Sequence, residues 1–80
     1  MKHTLNEPVY YRLETDASDG CNHWDWVLVR GIYDKNGNKD RSTEKRIVFG
    51  ACGGEISDCW NTIDSLIRGV LGFVPDYEVN

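Results

Sequence analysis

The sequence predicts an α+β fold: a three-stranded antiparallel meander with one C-terminal amphipathic helix packed on one face, and room for a short extra strand at a terminus. Three observations carry this. Residues 58–71 sort by face at helical spacing. Segments between Pro8 and Phe49 alternate at strand spacing. Asn36-Gly37 stands between the second and third of them.

Residues 8–15 put Val9, Tyr11 and Leu13 on one side and Tyr10, Arg12 and Glu14 on the other, the period of a half-buried strand. Pro8 lacks an N–H and suits the start of such a strand. Asp16 to Gly20 is a cluster of turn formers. Residues 23–33 give the longest strand candidate. Trp24, Trp26, Leu28 and Ile32 share a face with Arg30, while Val27, Val29 and Tyr33 share the other with Asp25 and Gly31. Apolar residues on both faces predict a central strand, or one with a bulge near Gly31. Asn36-Gly37 supplies the positive φ of a hairpin turn. The chain returns from Thr43 to Phe49, with Ile47 and Phe49 expected opposite Arg46 and Val48.

Cys52 to Glu55 reads as a flexible joint. Ser57 is placed to cap the helix with its hydroxyl, and Asp58 complements the helix dipole. At 100° per residue, Cys59, Trp60, Ile63, Leu66, Ile67, Val70 and Leu71 fall within roughly 140°, an arc expected to be core. Gly72 suits the left-handed position after the helix and Pro75 stops any continuation. Phe73, Val74, Tyr77 and Val79 can add a short strand or fold back on the core. A single helix covers a single face. The apolar residues on the other face of residues 23–33 therefore call for a second cover: the termini, a second subunit forming a homodimer, or a partner protein. Trp24 and Trp26 suit such a surface, since Trp buries a large area and keeps a polar tip.

The chain has 80 residues, which predicts one small domain spanning 1–80. Hydrophobic residues make up 40% and three are Trp, so a folded domain is expected rather than disorder. The net charge of −4 argues against non-specific nucleic-acid binding. The charge is unevenly placed. Residues 35–46 hold Lys35, Lys39, Arg41, Lys45 and Arg46 against Asp40 and Glu44, while residues 47–80 carry five acids and only Arg68. The opening MKHTLNEPVYYR has no apolar core, so no secretory signal is expected. No apolar run reaches membrane-spanning length. Three cysteines without an export signal predict reduced thiols in the cytoplasm.

The chemistry-bearing residues form few patterns. Cys21, His23, Cys52 and Cys59 are the right types for zinc, but their spacing matches no zinc knuckle. A Cys52–Cys59 disulfide is conceivable, though disfavoured in a reducing compartment. Cys21 and His23 lack a third orienting group for nucleophilic catalysis. Asp16 with Asp19 is explained by turn chemistry, and Asp58 by the helix start. Gly50 to Gly54 precedes the helix without the lysine of a phosphate loop. No enzymatic activity and no cofactor are expected.

In its short sheet-plus-helix layout, its acidic segment Glu55–Asp64 and its lack of a catalytic motif, the chain resembles small acidic accessory proteins of phages and mobile elements, anti-CRISPR inhibitors among them. The resemblance implies a stoichiometric inhibitor of a host protein or nucleoprotein complex, which blocks a nucleic-acid-binding or assembly surface. Glu55, Asp58 and Asp64 would then meet Lys or Arg on the target, with Arg68 as a rim contact and Trp24 and Trp26 on a second surface. Two alternatives stand beside it: a nucleic-acid binder using the basic hairpin 35–46, and a zinc-stabilised domain using Cys21, His23, Cys52 and Cys59.

Overall fold

The computed structural model describes residues 8–17, 23–54 and 56–79. They form β1 (Val9–Ala17), β2 (His23–Tyr33), β3 (Lys39–Gly53), α1 (Ile56–Leu71) and β4 (Glu78–Val79). The class is α+β as expected, but the sheet has four strands in the order β3-β2-β1-β4. β1, β2 and β3 make the antiparallel meander. β4 pairs in parallel with β1, setting Glu78 opposite Arg12 and Val79 opposite Leu13. The sheet is therefore mixed, and α1 lies within the chain rather than at its C-terminal end. The physical reason is the parallel pairing: strands running the same way cannot be joined by a tight turn. α1 is the crossover that carries the chain from the β3 edge to the β1 edge.

The β2–β3 hairpin closes as the sequence suggests. Gly37 takes φ 84° and its N–H donates to the Asp34 carbonyl at 3.0 Å. The Asp34 carboxylate accepts from the backbone N–H groups of Asn36 and Asn38, at 2.8 and 2.9 Å. The turn is thus held from one side chain.

β2 is central, and its two faces differ. On one face Leu13, Leu28 and Val48 stand in a row across β1, β2 and β3, followed by Thr15, Trp26 and Gly50. α1 packs here: Leu13, Trp26, Leu28, Val48, Cys59, Ile63 and Ile67 form the core. The Trp26 indole lies across Gly50, where a Cβ would meet it at 2.9 Å, so glycine is what lets the ring lie flat on the sheet. Its Nε1 is buried without a hydrogen-bond partner among the described residues. The opposite face carries Arg12, Val29 and Arg46 in one row and Glu14, Val27 and Phe49 in the next.

Two irregularities shift β3 against β2. Leu28 faces Val48 while Val29 faces Arg46, leaving Ile47 without a partner. The extra residue reverses the expected alternation. Val48 points into the core at 5% exposure and Phe49 stands on the open face at 77%, beside Arg46 rather than opposite it. The second irregularity falls near Gly31, as expected, where residues 41–44 of β3 bulge between the pairs Arg30–Lys45 and Ile32–Asp40. Inside it, the Thr43 hydroxyl accepts from the Ile32 N–H and donates to the Asp40 carbonyl.

α1 begins at Ile56, so Ser57 lies in its first turn and not at the capping position ahead of it. The Ser57 side chain and residue Glu55 lie outside what the structure describes. The C-terminal end follows expectation: Gly72 has φ 87° and its N–H returns to the Arg68 carbonyl at 2.8 Å. The apolar arc of α1 is only partly core. Cys59, Ile63 and Ile67 are buried and Trp60 and Leu71 are half-buried, but Leu66 and Val70 are 45% and 63% exposed. Leu66 sits at the rim of the arc and Val70 in the last turn, and neither meets a sheet that lies under the middle of the arc.

Candidate functional site

Among the described residues, the open face of the sheet carries a network of charged side chains and no second layer. Arg12, 8% exposed, lays its stem across this face and anchors a network that runs through the bulge of β3. Its Nε donates to Glu44 Oε2 at 3.0 Å and its Nη2 to Glu44 Oε1 at 2.5 Å, a two-point contact. Its Nη1 donates to Glu14. The Tyr10 hydroxyl donates to the same Glu44 Oε2 at 2.6 Å, and Arg41 Nε lies 3.6 Å from it. The bulge near Gly31 is what brings Glu44 over β1. Val29, beneath this network, is buried.

Toward β4 the same face becomes aromatic. The Tyr10 ring lies over Gly31, where a Cβ would meet it at 2.3 Å, and its centroid is 5.2 Å from that of Tyr33. Lys39 Nζ stands 5.3 Å from the Tyr10 ring centre and pairs with Glu78. One lysine from β3 thereby reaches across to the two-residue strand β4.

The electrostatics of the network favour permanence over proton transfer. Hydrogen bonds from Arg12, outweighing burial and helped by Tyr10, hold the Glu44 carboxyl down at about 2. Burial and then the Glu44 contact push the Tyr10 phenol up to about 12. The Arg12 guanidinium is held charged by Glu44 and Glu14. Burial and then Asp64, which accepts the Tyr77 hydroxyl at 2.7 Å, push Tyr77 up to about 12. Each shift moves its group away from neutral pH, the opposite of what general acid–base work needs.

The residues singled out from sequence are scattered. Asp58 is exposed in the first turn of α1 and Arg68 is exposed in its last. Asp64 is half-buried and engaged by Tyr77, which takes it out of an open acidic face. Trp26 is buried in the core, because β2 turns it toward α1. Trp24 is on the same face, half-buried, and its Nε1 donates to the Gly54 carbonyl at 2.9 Å. The tryptophans therefore fasten the helix side instead of offering the open one. Cys21 and the side chain of His23 lie outside the described residues. Cys52 and Cys59 are joined in a disulfide, with Cα atoms 6.3 Å apart. This corrects the expectation of reduced thiols and removes both sulfurs from any zinc set. It follows from the fold: Cys52 stands next to the last residue of β3 on the helix face, beneath the first turns of α1. In the basic hairpin, Lys39 is paired with Glu78 and Arg41 lies against Glu44.

Two surfaces are only partly legible in the sequence, which marks the basic residues 35–46 and the apolar arc of the helix but not how the fold exposes them. One is a hollow of about 280 Å³ on the open face, lined by Arg12, Glu14, Val29, Arg41, Glu44, Lys45 and Arg46. The other is the outer flank of α1, where Leu66 and Val70 are exposed and Phe73 is 52% exposed just beyond it. The i, i+4 spacing of Leu66 and Val70 is the available signal for the second. Among the described residues no helix is long and apolar enough to cross a membrane. Set against known protein families, curated proteins and solved structures, the chain finds no match in any of the three.

Proposed function

We propose that the chain is a non-enzymatic protein-interaction module that meets its partner through the outer flank of α1. One observation carries this: Leu66, Val70 and Phe73 remain exposed although the core beneath the helix is complete. Leu66 and Val70, four apart on one flank of the helix, are spaced as anchors of a helix laid into a partner's groove, and Phe73 follows just past the helix end. Asp58 and Arg68, exposed on the same helix, would form a polar rim. The network on the open face supports the non-enzymatic part, since its shifted groups lie far from neutral pH.

The narrower reading is an inhibitor of anti-CRISPR type. Its partner would be a cytoplasmic host nucleoprotein complex, and Asp58 and Glu55 would meet basic residues that otherwise hold nucleic acid. The net charge of −4 supports a basic target. Affinity capture from host extract with the wild type and a Val70→Glu/Phe73→Glu variant of unchanged circular dichroism tests both levels. A nucleoprotein complex retained by the wild type and lost by the variant supports the proposal. Equal retention removes this surface from it. Charge reversal at Asp58 that leaves retention unchanged removes the inhibitor reading.

A second reading, nucleic-acid binding through residues 35–46, rests on Lys45 and Arg46 beside the hollow. It requires binding to naked DNA or RNA that weakens steeply with salt.

A further inference from the structure

β3 is an edge strand, and among the described residues no strand pairs with its outer side. A free edge offers a row of N–H and C=O groups to any extended chain, and proteins blunt such edges with charge, proline or bulges. Most of β3 is blunted in this way. Lys39, Asp40, Arg41, Glu44, Lys45 and Arg46 are charged, and both breaks in register fall between Lys39 and Val48. The end of the strand is different. Val48-Phe49-Gly50-Ala51-Cys52-Gly53 holds no charge and no proline, and its ladder to β2 runs unbroken from Leu28–Val48 to His23–Gly53. Among the described residues Phe49 is the most exposed of the large hydrophobic side chains, and Ala51 beside it is also exposed.

We propose that residues 48–53 are a homodimer edge: a second copy of this chain pairs its own β3 antiparallel about a two-fold axis at Gly50, joining two four-stranded sheets into one. The segment is complementary to itself, as a two-fold contact requires. Centred on Gly50, the pairing sets Phe49 opposite the partner's Ala51 and Val48 opposite the partner's Cys52, and no two like charges meet. The two Phe49 rings fall on the open face as diagonal neighbours, roughly 7–8 Å apart at the backbone and within reach of each other. Trp26 covers Gly50 on the helix face, so the centre of the contact stays flat. Moving the axis to Lys45 would set lysine against lysine and bring the irregular stretches of both chains together. Charge and regularity thus favour residues 48–53 over the rest of the edge, and within them the axis at Gly50 keeps the pairing centred on the regular, uncharged stretch.

The experiment is light scattering on the full chain across a concentration series, with hydrogen exchange on the same samples. The expected result is a concentration-dependent dimer in which amides of residues 48–53 gain protection as the dimer fills. A Phe49→Lys/Ala51→Lys variant sets like charges opposite one another and is expected to be monomeric, with a melting curve matching that of the wild type at concentrations where the wild type is monomeric. Phe49→Ser, milder for folding, is expected to raise the dimer dissociation constant at least ten-fold. A wild type that stays monomeric at millimolar concentration overturns the proposal. So does a dimer that protects α1 instead of β3, or one that persists in Phe49→Ser at unchanged affinity. Docking of a foreign extended peptide on a monomeric chain would likewise replace it. The α1 variants used to test partner capture leave this edge untouched, so the two readings fail separately.

Discussion

Arg12 and Glu44 are 32 residues apart in sequence and meet in a two-point contact, Nε to Oε2 at 3.0 Å and Nη2 to Oε1 at 2.5 Å. Their side chains are 9% and 12% exposed. This contact fixes β1 to the bulge of β3 across β2 and roofs Val29. Removing one partner of such a pair costs more than the pair itself contributes, because the other charge is left without its counterion.

Glu44→Gln is therefore expected to destabilise the fold by about 2 kcal/mol, below the ~3–5 kcal/mol of a fully isolated buried charge because Glu14 still holds Nη1 of Arg12. In a domain of this size that is a fall of roughly 10 °C in melting temperature, read by circular dichroism. The pH dependence has a definite sign. The Glu44 carboxyl drops from an ordinary 4.5 to about 2 on folding, so its contribution is complete above 4.5 and is lost as pH falls through 2. Wild type should lose stability over that acid window, and Glu44→Gln should lose distinctly less. Parallel acid profiles for the two would show that Glu44 is not the group responsible.

The phenols give an alkaline counterpart. Tyr10 and Tyr77 are both raised to about 12 from 10. Folding favours their neutral forms, so this stabilisation is complete below pH 10 and is lost as pH rises through 12. Tyrosinate absorbance should show a late component that Tyr10→Phe and Tyr77→Phe each reduce by one phenol of the four in the chain. A titration that either variant leaves unaltered in shape would contradict that phenol's buried, carboxylate-bonded state.

How far the sequence reached is visible in β3. Its inner part was expected from Thr43 to Phe49, where apolar residues recur, but the strand runs from Lys39 to Gly53. The added residues are charged at one end and small at the other, and backbone pairing to β2 holds them rather than burial, which leaves no hydrophobic period to read. The bulge at Ile47 puts Arg46 on the face of Phe49 instead of that of Val48 for a related reason: period-two alternation cannot register an extra residue whose cause lies in the neighbouring strand. β2 was placed at 23–33 because its signal is its own, with apolar residues on both faces. The Arg12–Glu44 network was beyond reach, since two charged residues 32 apart look like solvated surface until the bulge superimposes them. The flank of α1 was partly in view. Its apolar residues were recognised, but their division into buried and exposed depends on how the sheet lies beneath the helix.

Gly31 tests the fit of the bulge against Tyr10. A Cβ on Gly31 would stand 2.3 Å from Cζ of Tyr10, so Gly31→Ala requires the ring to leave its place over the strand. Moving it would also strain its hydrogen bond to Glu44. Overpacking of this kind costs about 1–3 kcal/mol. In a Gly31→Ala/Tyr10→Ala double variant the steric part should vanish, so the combined loss should be smaller than the sum of the single losses. Strict additivity, measured by urea denaturation, would mean that the ring does not pack on Gly31.

The Cys52–Cys59 bond links the end of β3 to the core face of α1 across seven positions of sequence. Closing so short a loop restricts the unfolded chain modestly, and the chain-entropy relation gives about 2 kcal/mol. A reductant, or the Cys52→Ser variant, should lower the melting temperature by roughly 10 °C without unfolding the domain. The core persists because Ile63, Ile67, Leu13 and Leu28 remain packed and Cys59 still fills its place as a small hydrophobe. Opening the bond should act locally, on the joint after β3 and the first turn of α1, so hydrogen exchange should quicken there and stay slow at Ile67. That separation bears on the proposed contact at Leu66, Val70 and Phe73, which lies at the far end of the helix. Partner capture should therefore survive reduction. Loss of capture on reduction, with Ile67 still protected, would relocate the contact to the N-terminal end of α1.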